Sequence, residues 1–451
     1  MTAPARVAAY RALSAIEDRA LDLPSALAES RRRVSDPRDK ALAAEIVQGT
    51  LRWQRALDAV IALTTTTGRV PTDQRVLTIL RLSVYQILHL DRVPASAVVD
   101  DAVDLARLAQ RAPAAGFVNA LLRTLLRQRQ RLALPARPQH PGDTAGALAY
   151  LGITHSHPDW LVSRWLDRLG LETAEAWVRF NNSTPAVTLR VNPLRGTRPD
   201  LQAWLRERGV VATPTRFAPL GLVIDEAEHP GLLHEPTDRF AVQDEASQLV
   251  SLVVGARPRQ RVLDLCAAPG GKTTAMAADM NDAGVLVACD VRPRRVRLLR
   301  DALTSFGSTA ARVVQVGREG PLPFEPAFDH VLVDAPCSGL GTVRRDPDLK
   351  WRRNEVDLPA LAAAQLALLD RAAACVKPGG RLVYATCSSE PEENDEVVHA
   401  FLASHPSFSP APAPALPPPV AGLIDERGVL RTLPHRDQLE AFFAAGFVRG
   451  A

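Results

Sequence analysis

A multidomain chain is predicted, with an all-α front end, a small α+β module, and an α/β domain built on a parallel sheet. Three observations carry that reading. The first 133 residues repeat apolar positions at helical spacing, with no competing alternation. A proline- and glycine-rich stretch, LPARPQHPGDTAG at 134–146, then interrupts the pattern as a linker would. After residue 241, apolar strands alternate with long helical segments, which is the pattern of βαβ units. The length of 451 residues agrees, since roughly 150 residues per domain gives a prior of about three.

In the front end, 76–90 forms a broad apolar stripe suited to a buried helix. Phe117, Val118, Leu121, Leu122, Leu125 and Leu126 recur on one helical face. The module, 147–240, shows helices at 159–169 and 199–209 and short strands at 187–191 and 222–224. In the last part, 241–451, strands are predicted at 261–265, 285–290, 312–316, 331–334 and 381–386. Long helices follow at 292–306 and 358–376. The run PAPAPALPPP at 410–419 reads as a solvated linker.

Composition narrows the function class. Apolar residues make up 46% and charged residues 23%, which excludes a wholly disordered chain. Nothing approaches the run of about 18 apolar residues that a membrane span needs. Glu17 and Asp18 stand where an export signal would be apolar. The five cysteines (Cys266, Cys289, Cys337, Cys375, Cys387) are odd in number and confined to the second half, so a reducing cytoplasm is expected. Residues 1–135 hold 20 Lys and Arg against 13 Asp and Glu, while the whole chain carries only +4. A basic front end suits a polyanionic partner, because phosphate neutralisation dominates nonspecific nucleic-acid affinity. A compositional bias toward arginine competes with that reading, since only four of the 54 bases are lysine.

The most informative stretch is VLDLCAAPGGKTT, 262–274, where a strand runs through Pro269, Gly270 and Gly271 into a helix. Glycines there let a ligand approach the backbone, and a side chain at 270 is expected to meet that ligand. The helix start offers amides to a carboxylate. An ordinary strand–turn–helix junction is the alternative. The G-x-G-x-x-G and G-x-x-x-x-G-K-[ST] spacings are both missing, which disfavours dinucleotides and P-loop nucleotides. Asp290 ends the next strand, where an acid can take ribose hydroxyls or simply cap a helix. VLVDAPCSGLGT and LVYATCSSEPEEN each put a cysteine, Cys337 and Cys387, just beyond the carboxyl end of a strand. No C-x-x-C occurs and no histidine has ligand spacing, so no metal is expected. Cys289 and Cys375 read as core residues. For Cys337 and Cys387, position alone leaves packing and chemistry both open.

Taken together, LCAAPGGKT, DAPCSGLGT, RRDPDLKW and YATCSSEPEEN resemble the RsmB/Nop2 (Sun) family of S-adenosylmethionine-dependent RNA 5-methylcytosine methyltransferases, and occur in that family's order. FAVQDEASQLV at 240–250 looks like the segment before its fold, and 1–133 is similar to the NusB-like RNA-binding domain of bacterial RsmB proteins. The resemblance implies a Rossmann-like catalytic domain, S-adenosylmethionine as methyl donor, and RNA as partner, 16S ribosomal RNA first. It also implies a cytoplasmic monomer. Transfer RNA methylation and a noncatalytic assembly role are the alternatives. By resemblance Cys387 is the nucleophile, Cys337 assists breakdown of the covalent adduct, and Asp334 holds the cytosine edge and approaches the cofactor. Cys266, Ala267, Ala268, Pro269, Gly270, Gly271 and Lys272 would cradle the methionine part, and Asp290 the ribose. Where the family has an adenine-contacting acid this chain has Gly317, and the sequence leaves open whether Gly317 or Glu319 takes over. PHRDQLEAFF replaces the family's aspartate–glycine with Glu440 and Ala441, so differently shaped last strands are expected. A rival enzyme reading makes Cys337 the nucleophile, as in DNA cytosine methyltransferases, which lack a TC motif such as 386–387.

Overall fold

The computed structural model describes residues 2–140, 142–224, 237–412 and 414–451. Position 141 of the predicted linker, 225–236 of the module and 413 of the proline-rich run lie outside the described residues. The chain divides into two compact units, Met1–Thr184 with Val343–Arg353, and Pro185–Thr342 with Asn354–Ala451.

The first unit is helical: α1 (Pro4–Glu17), α2 (Leu23–Arg33), α3 (Pro37–Arg52), α4 (Gln54–Thr64), α5 (Gln74–His89), α6 (Ala95–Leu108) and α7 (Ala115–Gln128). Asp22, Asp36 and Asp73 cap three of these by accepting backbone amides of the first turn. Helix α5 is buried from Val76 to Gln86 and forms the centre of a core that includes Leu13, Ile46, Leu105 and Leu122. One position departs from the predicted stripe: Phe117 is 44% exposed, and Val118, Leu121, Leu122 and Leu125 face the core.

Helices α8 (Thr144–Ala149) and α9 (Asp159–Asn182) group with this unit. Arg55 explains why, since its guanidinium reaches both Asp159 carboxylate oxygens (2.6 and 2.9 Å) and its amide donates to Ser156 Oγ (3.0 Å). Gly170, at φ 73°, breaks α9 in two. The sequence reading stops there, and the second half packs through stacking of Trp177 on Trp165. The segment Val343–Arg353 is also part of this unit. In its short helix α14 (Leu349–Arg352), the buried Lys350 Nζ donates to the Arg52 carbonyl (2.9 Å), while burial and the Arg52 charge push its pKa well down. Trp351 Nε1 donates to the Leu51 carbonyl (2.7 Å). These carbonyls end α3, where a helix leaves acceptors unfilled.

The second unit begins with an antiparallel sheet of β1 (Val187–Val191), β2 (Ala212–Pro214), β3 (Gly221–Ile224) and β4 (Phe240–Val242), in the order β2-β3-β1-β4. Helix α10 (Arg198–Arg206) accompanies it. The larger sheet takes β5 (Arg261–Asp264), β6 (Val285–Asp290), β7 (Ala311–Gln315), β8 (Phe328–Asp334), β9 (Val376–Thr386), β10 (Phe408–Pro410), β11 (Leu430–Thr432) and β12 (Phe442–Arg449). Helices α11 (Glu245–Val254), α12 (Gly271–Asp279), α13 (Pro293–Phe306), α15 (Leu358–Ala373), α16 (Asp395–Ser404), α17 (Pro418–Ala421) and α18 (Pro434–Asp437) complete the unit. The order is β10-β12-β9-β8-β5-β6-β7, with β11 on β12. Strands β5 to β9 pair in parallel as predicted.

Two features of this sheet differ from the sequence reading. Strand β12 runs antiparallel beside β9, and its first six residues are all buried. A strand covered on both faces loses the alternation that would reveal it. The proline-rich run is also not wholly solvated. Pro410 ends β10 opposite Phe447, and the buried Ala411 donates to the Gly446 carbonyl (2.8 Å).

Candidate active site

The chain runs outward from β5 to β6 and β7, then returns to β8 and β9 on the other side of β5. The order therefore reverses between β5 and β8, and sheets of this kind bind ligands at the carboxyl ends of such strands. The loops after β5, β6, β8 and β9 deliver their residues to that end.

After β5, the Ala267 amide donates to the Cys289 carbonyl (2.8 Å), and a cis Ala268–Pro269 bond leads to Gly270. Gly270 is the residue before α12, with φ at +115°. A Cβ there would lie 3.0 Å from Ala302 Cβ and 3.2 Å from Leu299 Cδ1, both on α13. A side chain at 270 would therefore press on α13, a constraint the sequence does not show. Burial holds the Cys266 thiol well above its usual pKa, and three neighbouring aspartates push the same way.

Asp264, which the sequence reading left out of the site, is buried at the end of β5. Its Oδ2 accepts from Thr273 Oγ1 (2.7 Å), and its Oδ1 has no hydrogen-bond partner among the described residues. Burial, reinforced by Asp334 and Asp290 and opposed by Thr273 and Lys272, raises its pKa to about 7. Asp290 ends β6, buried, and accepts from the Arg292 amide (3.0 Å), with Arg295 Nη1 4.0 Å from its other oxygen. Gly317 is exposed after β7, in a turn whose carbonyls at 317, 318 and 320 are all held by Arg371 (2.8 to 2.9 Å). Glu319 in the same turn is exposed. The buried Arg190 of β1 braces the start of α12, donating to Gly271 O (2.9 Å) and to Thr274 Oγ1 (2.6 Å).

The chemistry gathers between β8 and β9. Asp334 stands opposite Ala385 in adjacent parallel strands, so Cys337 and Cys387 leave the sheet side by side. Their sulfurs are 3.3 Å apart. The hydrogen bond from Cys337 lowers the Cys387 pKa against burial and the charge of Asp334, and Lys272 lowers it further. The same hydrogen bond, then burial and the charge on Cys387, pushes Cys337 well up. The pair is therefore polarised, with Cys387 the more acidic sulfur and Cys337 the less acidic. Lys272, predicted among the cofactor residues, donates to Asp334 Oδ2 (2.7 Å), and its Nζ lies 5.4 Å from the Phe442 ring centroid. Burial works to lower its pKa, but Asp334, Cys387 and Asp264 together raise it, so the ammonium stays charged beside the cysteines. Cys289 and Cys375 are buried in the core.

A probable ribosomal RNA small subunit methyltransferase B of Bacillus subtilis is 33% identical, aligned over 90% of this chain and 89% of its own. Residues 251–448 match the family model described as 16S rRNA methyltransferase RsmB/F. The chain belongs to the RsmB/F family of methyltransferases. Its residues 3–127 match the NusB family model, and 157–229 match the RsmF/B-like ferredoxin-like domain. The ribosomal RNA small subunit methyltransferase B of Pseudomonas putida is 35% identical over 89% of each chain. The crystal structure of PH0851 is 27% identical, with a TM-score of 0.79 over 99% of each chain. The family is one of S-adenosylmethionine-dependent methyltransferases. The residues here fit that group: the open Asp264 oxygen and the buried Asp290 suit its ammonium and hydroxyl donors, and the amides at the start of α12 suit its carboxylate. Among the described residues no helix is long and apolar enough to cross a membrane.

Proposed function

We propose that this chain methylates carbon 5 of a cytosine in small-subunit ribosomal RNA through a covalent cysteine adduct. One observation carries the reading: two sulfurs 3.3 Å apart with opposite acidities, beside a Lys272–Asp334 ion pair. S-adenosylmethionine supplies an electrophilic methyl group when bound, and residues 264–272 with Asp290 would hold it. Carbon 5 of cytosine is a poor nucleophile. The Cys387 thiolate adds to carbon 6, and the ring becomes an enamine whose carbon 5 can accept a methyl group. Asp334 takes the Watson–Crick edge and favours the protonated ring, with Lys272 holding its other oxygen in place. Once Cys387 is bonded to carbon, its charge no longer raises the Cys337 pKa. Cys337 then gives its own proton to solvent and, as the thiolate, accepts the carbon 5 proton, and the Cys387 thiolate leaves as the ring double bond re-forms. The base must be unstacked to reach these groups, so a single-stranded or flipped nucleotide is the substrate. The helical residues 1–133 dock the RNA.

The test compares two variants on ribosomal RNA from a strain lacking the gene. Cys387→Ala abolishes methylation and forms no adduct. Cys337→Ala still attacks and methylates but stalls at elimination, leaving an RNA–protein adduct on a denaturing gel. The reverse pattern assigns the attack to Cys337, as in the rival reading.

A further inference from the structure

We propose that Glu393 is a positioning residue that holds the two cysteine loops in register, through the serine that follows each cysteine. The proposal rests on the two-cysteine reading above. Glu393 is fully buried at the end of the short turn Pro391–Glu393, between β9 and α16, four residues after Ser389. Its Oε1 accepts the Ser338 amide (2.8 Å) and Gln365 Nε2 (2.9 Å). Its Oε2 accepts Ser338 Oγ (2.5 Å) and Ser388 Oγ. Ser338 follows Cys337, and Ser388 follows Cys387. One carboxylate therefore ties together the backbone just past each sulfur.

The surroundings complete the clamp. Gln365 Nε2 also lies 3.1 Å from the carbonyl of Pro336, the residue before Cys337. Tyr384 donates to the Glu393 carbonyl (2.6 Å), and Asn394 Nδ2 donates to the Ser388 carbonyl (3.0 Å). Burying a carboxylate costs several kcal/mol unless donors saturate it, and four donors do so here. Neutral packing would fill the same space without that cost. What the carboxylate adds is a pair of acceptors shared by two loops whose sulfurs must stay in contact. Misplacing a reacting atom by about 1 Å costs about a hundred-fold in rate. The negative charge of Glu393 also works against ionisation of both thiols, after the larger contributions of the sulfur–sulfur hydrogen bond and burial.

The test uses the full-length Glu393→Gln and Glu393→Ala proteins. Without RNA, alkylation of Cys387 by iodoacetamide is followed across pH, with the modified peptide mapped by mass spectrometry. Single-turnover methylation and S-adenosylmethionine affinity are measured in parallel. The alkylation profile moves to higher pH in both variants, because loosening the loops weakens the Cys337 hydrogen bond, the largest influence lowering the Cys387 pKa, and this outweighs the lost Glu393 charge. The methylation rate falls about a hundred-fold, and cofactor affinity is unchanged. Glutamine keeps the shape and guards against a variant that does not fold. A wild-type alkylation profile with an unchanged rate overturns the proposal, even if the melting temperature drops. Failure of the underlying mechanism reads differently: Cys387→Ala would then still methylate, while the alkylation profile of the Glu393 variants would still move.

Discussion

Replacing Gly270 with alanine tests why the turn before α12 needs glycine. The backbone there sits at φ +115°, which costs an L-residue on the order of 1–3 kcal/mol. The new Cβ would stand 3.0 Å from Ala302 Cβ and 3.2 Å from Leu299 Cδ1, so α13 must shift by a few tenths of an ångström. Overpacking of this kind costs roughly another 1 kcal/mol. The sum, about 3 kcal/mol, corresponds to a hundred-fold or somewhat larger change in an opening equilibrium. Hydrogen exchange of peptides from β5, α12 and α13 reads that equilibrium within the sheet unit of the intact protein. Protection should fall by about that factor without cofactor present. Adding Ala302→Gly removes the closest atom and should return the steric part, so the two substitutions couple. Wild-type protection in Gly270→Ala, with cofactor affinity alone reduced, would refute the packing argument and favour the ligand-approach reading.

Two more outcomes follow from groups outside that turn. The Asp264 pKa of about 7 lies above the unfolded value of about 3.9, so its stabilising contribution is present below that value and lost as pH rises to about 7. Asp264→Asn should remove that part of the pH dependence of stability in the cofactor-free protein, and equal wild-type and variant slopes between pH 4 and 7 would contradict it. For RNA docking, deleting 1–133 would strip Lys350 and Trp351 of their carbonyl partners on α3, so substitution is the cleaner perturbation. Arg31→Glu with Arg32→Glu, both exposed at the end of α2, should flatten the salt dependence of RNA affinity by roughly 1.5 to 2 units of log–log slope. An unchanged slope moves the docking surface elsewhere.

The legible part of the site was the part whose chemistry is written locally. Strands β5, β6, β7 and β8 announce themselves as apolar runs ended by turn residues. Cys337 and Cys387 follow such runs, which is enough to place both at the ligand end of a parallel sheet. Helices such as α5, α7, α13 and α15 were legible for the same reason, because helical periodicity depends only on neighbours a few residues away. Asp264 could have been found by one further signal, an acid ending the strand that leads into the glycine turn. Glu393 and Gln365 had none: an acid in EPEEN and a glutamine in an alanine-rich helix look like solvated polar residues until the fold closes over them.

Residue order by itself determined which side chains could do the chemistry and which end of the sheet would present them. It could not determine that the two sulfurs lie 3.3 Å apart, because that distance comes from β8 and β9 pairing in one register, 50 residues apart in the chain. Nor could it say which sulfur is the more acidic. Both cysteines are alike in sequence, and only the hydrogen bond between them, with Lys272 nearer to one, separates their acidities. Gly270 shows the same division. The sequence marks a position where a side chain is unwelcome, but the atoms that exclude it belong to α13, some thirty residues on, and were brought there by helix-on-sheet packing. Local pattern encodes which face of an element is apolar; long-range pairing decides what that face meets, and site geometry is made of such meetings.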